Sequence, residues 1–198
     1  NTPTSSTLFD EGVSFELAQH RKGSIKNLRY NLHFDIPEDI DSSVTGTSEI
    51  IFTLDTPHTV IVDFRSDASA ISAVKVNGKS AEYEFRNEHI ILDKQLLNVG
   101  SNSIEIAFTA TDQSLNRNDE FLYTLLVPDR ARTLFPCFEQ PNLKAEFTLS
   151  LTLPDEWCAV SNTSPRSEHI ADGRKVVTFN PTEPLSTYLF SFVAGKLQ

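Results

Sequence analysis

The stretch "LRYNLHFDI", Leu28–Ile36, decides the fold class. Leu28, Tyr30, Leu32, Phe34 and Ile36 alternate with Arg29, Asn31, His33 and Asp35. A period of two puts the first set on one face of an extended chain and the second on the other, which predicts a half-buried β-strand. The period persists downstream. "VTGTSEIIFTL" (44–54) reads as a second strand, with Gly46 at a point where another backbone or a large side chain comes close. "TVIVDF" (59–64) is apolar on both faces and reads as a central strand. In "ISAVKVNGKSAEYEF" (71–85), Asn77-Gly78 supplies the two positive-φ residues of a type I′ hairpin between alternating arms. "EHIILD", "NSIEIAFTA", "FTLSLTL", "RKVVTFNP" and "STYLFSFVAGKL" continue the series, with Phe147, Leu149, Leu151 and Leu153 facing inward. Turn residues recur roughly every 8–12 residues, as they do in sandwiches and curved sheet assemblies. The fold class is therefore all-β, with curved, mainly antiparallel sheets in a sandwich- or saddle-like arrangement.

One helix precedes these strands. "DEGVSFELAQHRK" (10–22) places Val13, Leu17 and Ala18 at helical spacing, with Asp10 as its cap and Gly23 as its end. Residues 1–24 are thus a spacer and a short N-terminal helix, and residues 25–198 a β-domain. No internal repeat, low-complexity tract or long linker divides them.

Composition narrows the function. A chain of 198 residues with 39% hydrophobic residues, 14 Phe among them, is ordinary globular protein. A chain of this length buries roughly 70% of its unfolded surface and needs no disulfide staples. The 27 acidic residues outnumber 17 basic ones, for a net charge of −10, and no basic run exceeds two residues. That argues against nucleic acid and anionic membranes as partners, while a cationic ligand such as an ammonium group is compatible. No apolar run approaches the ~20 residues of a transmembrane helix. Cys137 and Cys158 lack zinc-site spacing and read as two buried thiols, with a disulfide between them as the alternative. The chain contains no Met, so it reads as a processed or excised piece. Its polar opening, "NTPTSST", has the composition of a spacer behind a removed export signal, and equally of a fragment's edge. The first reading favours an exported or periplasmic location over a cytoplasmic one.

Catalytic motifs are missing from the sequence. None of the five histidines (His20, His33, His58, His89 and His169) precedes a Glu, and no two lie four apart, so the HExxH pair of a helical zinc peptidase is absent. There is no GxSxG nucleophile elbow and no dinucleotide or phosphate loop; Gly78-Lys79-Ser80 ends a hairpin turn rather than a P-loop.

The exception to the strand pattern is "RTLFPCFEQPNLKAEF", Arg132–Phe147. Pro136 and Pro141 fix φ and remove two backbone donors, so this is a rigid bend rather than a ladder strand. Phe135, Phe138 and Phe147 can bury large areas, and Cys137 is a small filler. Arg132 and Lys144 have Glu139 and Glu146 as nearby partners. A buried joint outweighs a catalytic site as the reading of this bend. It would position the neighbouring strand, Phe121–Val127.

The longer segment "PDRARTLFPCFEQPNLKAEFTLSLTLPDEWCAVSN" (128–162) resembles a signature of the aminopeptidase N family of zinc metallopeptidases, the gluzincin aminopeptidases that include leukotriene hydrolase-like members. Ala131, Arg132, Phe135, Pro136, Cys137, Phe138, Pro141, Lys144, Ala145 and Phe147 match it. "PLSTYLFSFVAGKL" and the first strands extend the resemblance over about residues 25–198. It implies an N-terminal β-domain that contributes no catalytic or metal-binding residue. That domain would pack on its own thermolysin-like catalytic domain, which would follow Gln198 and carry HExxH, zinc and an exopeptidase loop. The fragment itself would be inactive. The full-length cleft would receive a peptide's N-terminus along Tyr123, Thr124, Leu125, Leu126 and Val127, while Arg132, Phe135, Pro136, Cys137, Phe138, Glu139, Pro141 and Lys144 form a structural signature. The sequence departs from the family in two places. Glu139-Gln140 replace the usual Asp-Glu, and Leu125 and Val127 occupy positions where a Q-x-E-like element holds the substrate amine. A β-sandwich interaction or scaffold module from a catalytically inactive relative is the alternative.

Overall fold

The computed structural model describes residues 7–197; the polar opening, 1–6, and Gln198 lie outside them. One helix, α1 (Phe15–Ser24), and a single helical turn, α2 (Ala131–Leu134), accompany fifteen strands among the described residues. In chain order these are β1 (Lys26–Asp35), β2 (Thr45–Leu54), β3 (Val60–Asp63), β4 (Ile71–Val76), β5 (Lys79–Ser80), β6 (Glu84–Arg86), β7 (His89–Leu92) and β8 (Gly100–Thr109). They continue as β9 (Leu115–Arg117), β10 (Phe121–Thr124), β11 (Glu146–Pro154), β12 (Cys158–Ser161), β13 (Pro165–Ala171), β14 (Arg174–Phe179) and β15 (Phe192–Gly195). None of the described helices is long and apolar enough to cross a membrane.

Three sheets form. The large one has the order β13-β14-β11-β1-β2-β8-β4-β5, the second β12-β15-β10-β9 and the third β3-β7-β6. Pairing is antiparallel except between β1 and β11. The alternation of Leu28–Ile36 holds residue by residue, with the apolar set buried and the polar set facing outward. Phe147, Leu149, Leu151 and Leu153 of β11 likewise point into the core. Gly46 is where the close approach occurs: a Cβ there would stand 2.5 Å from the His33 carbonyl oxygen and 2.9 Å from the Phe108 ring. Asn77 and Gly78 turn between β4 and β5 at φ 50° and 78°. The second arm of that hairpin is only two residues long, because the chain leaves for β6 in another sheet.

Aromatic rings join the sheets. Phe34 of β1 meets Phe108 of β8 at 5.9 Å between ring centroids and Phe192 of β15 at 5.1 Å. Phe135, from the bend, lies within 6.3 Å of Tyr30 and Phe34 and within 5.6 Å of Phe190.

Two elements differ from expectation. The helix starts four residues later than the sequence suggests: Ser14, not Asp10, is the cap, accepting the Leu17 N–H at 3.1 Å, and Gly23 lies inside the last turn. Its buried face is Leu17 and Arg21, one apolar and one charged, so hydrophobic spacing alone could not locate it. β3 is buried on all four residues, yet it is an edge strand rather than a central one. Its free edge is covered by the bend: the Asp63 N–H donates to the Cys137 carbonyl at 2.8 Å, and the Cys137 N–H to the Asp63 carbonyl at 3.0 Å.

The Asp63 side chain ties this corner together. Arg21 grips both its oxygens, at 2.8 and 2.7 Å, and also donates to the Ile61 carbonyl at 2.7 Å. The Glu139 N–H donates to Oδ2 at 2.8 Å. His89 Nδ1 lies 2.9 Å from Oδ1, obliquely enough that it forms no aligned hydrogen bond. Burial would raise the Asp63 pKa, but Arg21, with His89 beside it, outweighs burial and holds the group down at about 2.

Two predictions follow from this core. Phe135→Ala removes a ring shared by three others and should cost ~3–5 kcal/mol in denaturant unfolding; an unchanged midpoint would show that the bend is not packed as described. A lowered carboxylate pKa contributes stability above the unfolded value near 4 and loses it as pH falls towards 2, here roughly 2 kcal/mol. The stability gap between the parent and Asp63→Asn should therefore narrow between pH 5 and pH 2, and a constant gap would refute this role.

Candidate functional site

The chain from Ala131 to Gln140 is buried at every residue, although only α2 is regular. Irregular backbone in a core must find hydrogen-bond partners outside the sheet ladders. Polar side chains of neighbouring elements supply them. Ser48 of β2 donates to the Pro136 carbonyl at 2.8 Å. Tyr30 of β1 accepts the Phe138 N–H at 2.9 Å. Thr111 donates to the Thr133 carbonyl at 2.6 Å, and the Arg65 N–H to that of Arg132 at 2.7 Å. Ser48, Tyr30 and Asp63 are buried because the bend uses them, a signal that strand alternation alone does not carry.

Glu139 closes the bend on itself. Its Oε2 accepts the Arg132 N–H at 2.8 Å, and Oε1 accepts the Thr187 hydroxyl. Burial raises its pKa; the bonds from Thr187 and Arg132 counter that only in part, and nearby Asp63 adds to the rise. Burial likewise raises the Cys137 thiol and the Tyr30 phenol, so neither ionises in the physiological range. The Arg132 guanidinium does not pair with Glu139; it reaches Glu88 at 3.0 Å and Asp129 at 3.4 Å. Arg132, Phe135, Pro136, Cys137, Phe138 and Glu139 thus lie inside, whereas Pro141 and Lys144 stand on the surface. Gln140 is buried as well, donating to the Ala18 carbonyl at 3.0 Å.

In front of the bend runs β10 and its continuation to Val127, where a cis peptide leads into Pro128. Here the alternation separates the five candidate cleft residues. Tyr123, Leu125 and Val127 are exposed, together with Phe121, whose ring stacks on Tyr123 at 6.4 Å. Thr124 and Leu126 point inward. Thr124 Oγ1 accepts the Phe192 N–H at 3.1 Å and so fixes β10 against β15.

The same outer face extends sideways. Tyr123 pairs with Val193 of β15, and Val193 with Val160 of β12. The next row is Phe121, Gly195 and Cys158. A Cβ on Gly195 would come within 2.5 Å of the Phe121 Cβ and of the Glu120 carbonyl oxygen, so the neighbouring strand takes up the space a side chain would need. Among the described residues, seven of the eleven exposed large apolar side chains lie on or beside this sheet: Phe121, Tyr123, Leu125, Val127, Val160, Leu189 and Leu197. Both cysteines are free, but only Cys137 is buried; Cys158 is exposed, because Trp157 and Ala159 on either side of it take the core-facing positions and alternation turns it outward. Period two in "WCAVSN" and "SFVAGK" shows two faces without telling which one meets solvent. The outward placement of Val160 and Val193 is set by strand pairing, which the local pattern does not carry.

No group of three His, Cys, Asp or Glu side chains among the described residues could hold a metal ion. His89 and Asp63 are committed to each other, to Arg21 and to the Asp10 carbonyl, which His89 Nε2 meets at 2.8 Å. The residues present therefore do not fit a zinc site, and no hydrolytic step can be assigned to them.

Comparison with known proteins agrees with this architecture. Aminopeptidase 2 of Candida albicans is 26% identical over 192 residues, covering 90% of this chain and 20% of that protein. The mitochondrial aminopeptidase 2 of Saccharomyces cerevisiae is 41% identical over 75 residues, 38% of this chain and 8% of the relative. A solved M1 zinc metallopeptidase from Deinococcus radiodurans superposes with a TM-score of 0.71 at 19% identity, over 87% of this chain and 42% of that one, and so shares the fold. The chain spans a small part of these curated relatives and less than half of the solved structure. A family model, the peptidase M1 N-terminal domain, matches residues 26–189. Most of the chain lies within that match, and the chain belongs to the peptidase M1 N-terminal domain family.

Proposed function

We propose that this chain is the non-catalytic N-terminal domain of a zinc-dependent aminopeptidase, with the outer face of β10 as one wall of the substrate cleft. The rest of the β12-β15-β10-β9 face packs on a thermolysin-like catalytic domain, which supplies the zinc and removes N-terminal residues from peptides. The observation that carries this reading is the concentration of exposed apolar side chains on that one face. Apolar residues scattered singly over a surface need no explanation, but a contiguous patch marks an interaction site. Family membership sets the kind of partner.

The wall contributes contact rather than charge. Leu125 and Val127 offer no side-chain acceptor to an ammonium group. In this reading the substrate amine is held by carboxylates of the catalytic domain, while Tyr123, Leu125 and Val127 line the path it takes. Thr124 and Leu126 brace the wall from behind.

The test uses the full-length protein and aminoacyl-arylamide substrates. Val127→Glu places a carboxylate on the wall and should lower KM about tenfold, the worth of one charge-assisted hydrogen bond. Because the residue is exposed, the melting temperature should stay essentially unchanged. Identical kinetics in Val127→Glu and Leu125→Gln would remove the cleft-wall assignment, and a full-length protein without turnover would favour a scaffold. Residues 1–198 alone should show no hydrolysis with or without added zinc; zinc-dependent turnover by this piece would overturn the proposal.

A further inference from the structure

The family match begins at residue 26, yet the residues before it are built into the domain. Leu8, Phe9, Val13 and Leu17 form a second small core with Ile61 and Ile91 on the three-stranded sheet. Polar contacts bind the same segment along its length. Asn87 donates to the Phe9 carbonyl at 2.8 Å, Gln140 to that of Ala18 at 3.0 Å, and Lys22 to that of Asn142 at 2.9 Å. The Arg86 guanidinium lies 4.7 Å from the centre of the Phe9 ring. At the end of this segment Arg21 enters the core, 2% exposed, lies 5.2 Å from the Phe138 ring centre and closes on both oxygens of Asp63.

What Arg21 holds is more than one carboxylate. Asp63 accepts the Glu139 N–H, and Glu139 in turn accepts from Arg132 and Thr187. Arg132 follows the turn that ends the β10 continuation, a turn closed by the Arg130 N–H on the Leu126 carbonyl at 2.9 Å. Thr187 precedes β15, the strand paired with β10. The chain of contacts from Arg21 therefore reaches β10 from both sides. Without Arg21, two buried carboxylates, Asp63 and Glu139, would keep only His89, 2.9 Å from Asp63, and Arg132, whose guanidinium is turned to Glu88 and Asp129, and a buried charge that loses its bidentate partner forces its surroundings to move.

We propose that residues 7–24 form a clasp and that Arg21 is a positioning residue: acting through Asp63 and Glu139, it sets the position of the exposed wall Phe121–Val127. The functional half of this inference rests on the cleft-wall reading above; the mechanical half does not.

The experiment compares full-length parent, Arg21→Met, Arg21→Lys and the double variant Arg21→Met/Asp63→Asn. Arg21→Met should lower the melting temperature by on the order of 10 °C. The double variant should recover more than half of that loss, because it also removes the stranded charge, and Arg21→Lys should fall between. Hydrogen exchange at a temperature where all variants are folded should quicken in Arg21→Met at 121–134 and 187–195, and stay at parental rates at 45–54 and 100–109. Uniform or unchanged exchange, or a double variant no more stable than Arg21→Met, overturns the clasp. In steady-state assays of the folded variants, Arg21→Met should raise KM severalfold with kcat within twofold, and Arg21→Lys should restore part of it. Localised exchange with an unchanged KM would uphold the clasp and sink the cleft-wall reading.

Discussion

A backbone that enters a protein core without strand or helix partners must have its polar groups met one by one. Ala131–Gln140 imposes that demand here, and much of the domain's arrangement answers it. Ser48 and Tyr30 reach in from the large sheet, Asp63 from the edge of the three-stranded sheet and Thr187 from the approach to β15. All three sheets are therefore referenced to one irregular segment rather than to each other. The aromatic rings fill the space between them, but rings alone tolerate small slips; directional hydrogen bonds fix the register.

The two carboxylates at this joint work in opposite senses. Asp63 is held ionised by Arg21 against the cost of burial, so it favours the folded state above the acid range. Glu139 has its pKa raised by burial, so it favours the folded state more as pH falls. Because Asp63 titrates below about pH 4 and Glu139 above its ordinary 4.5, the two effects fall in successive pH ranges, and the joint contributes most between them. Neighbouring Cys137 and Tyr30 stay neutral in the physiological range and add no further charge.

How much of this was legible beforehand follows from the range of the interactions. The strands Leu28–Ile36 and Phe147–Leu153 declared their faces through alternation, a local property. The Asn77-Gly78 turn was equally local, and at Gly46 the glycine marked a close approach whose partners, His33 and Phe108, lie on other strands. The helix was displaced because its buried face includes Arg21, whose partner lies 42 residues away. β3 read as central because its free edge is covered by the bend rather than by a strand. Glu139 read as the partner of the Arg132 side chain but bonds to its backbone N–H instead. The outward set of Tyr123, Leu125 and Val127 could be grouped from period two. That Val160 and Val193 lie beside it required the order β12-β15-β10, which no local pattern encodes.

Cys158 gives the outer face a chemical address. It stands in the row of Gly195 and Phe121, it is free, and the domain's other thiol is sealed in the core. A maleimide dye would therefore attach to this domain at one place. Placed two strands from Phe121 on the same face, the dye would report by its emission whether the sheet faces water or another surface. The covering and uncovering of this face can thus be followed in solution without engineering a new cysteine.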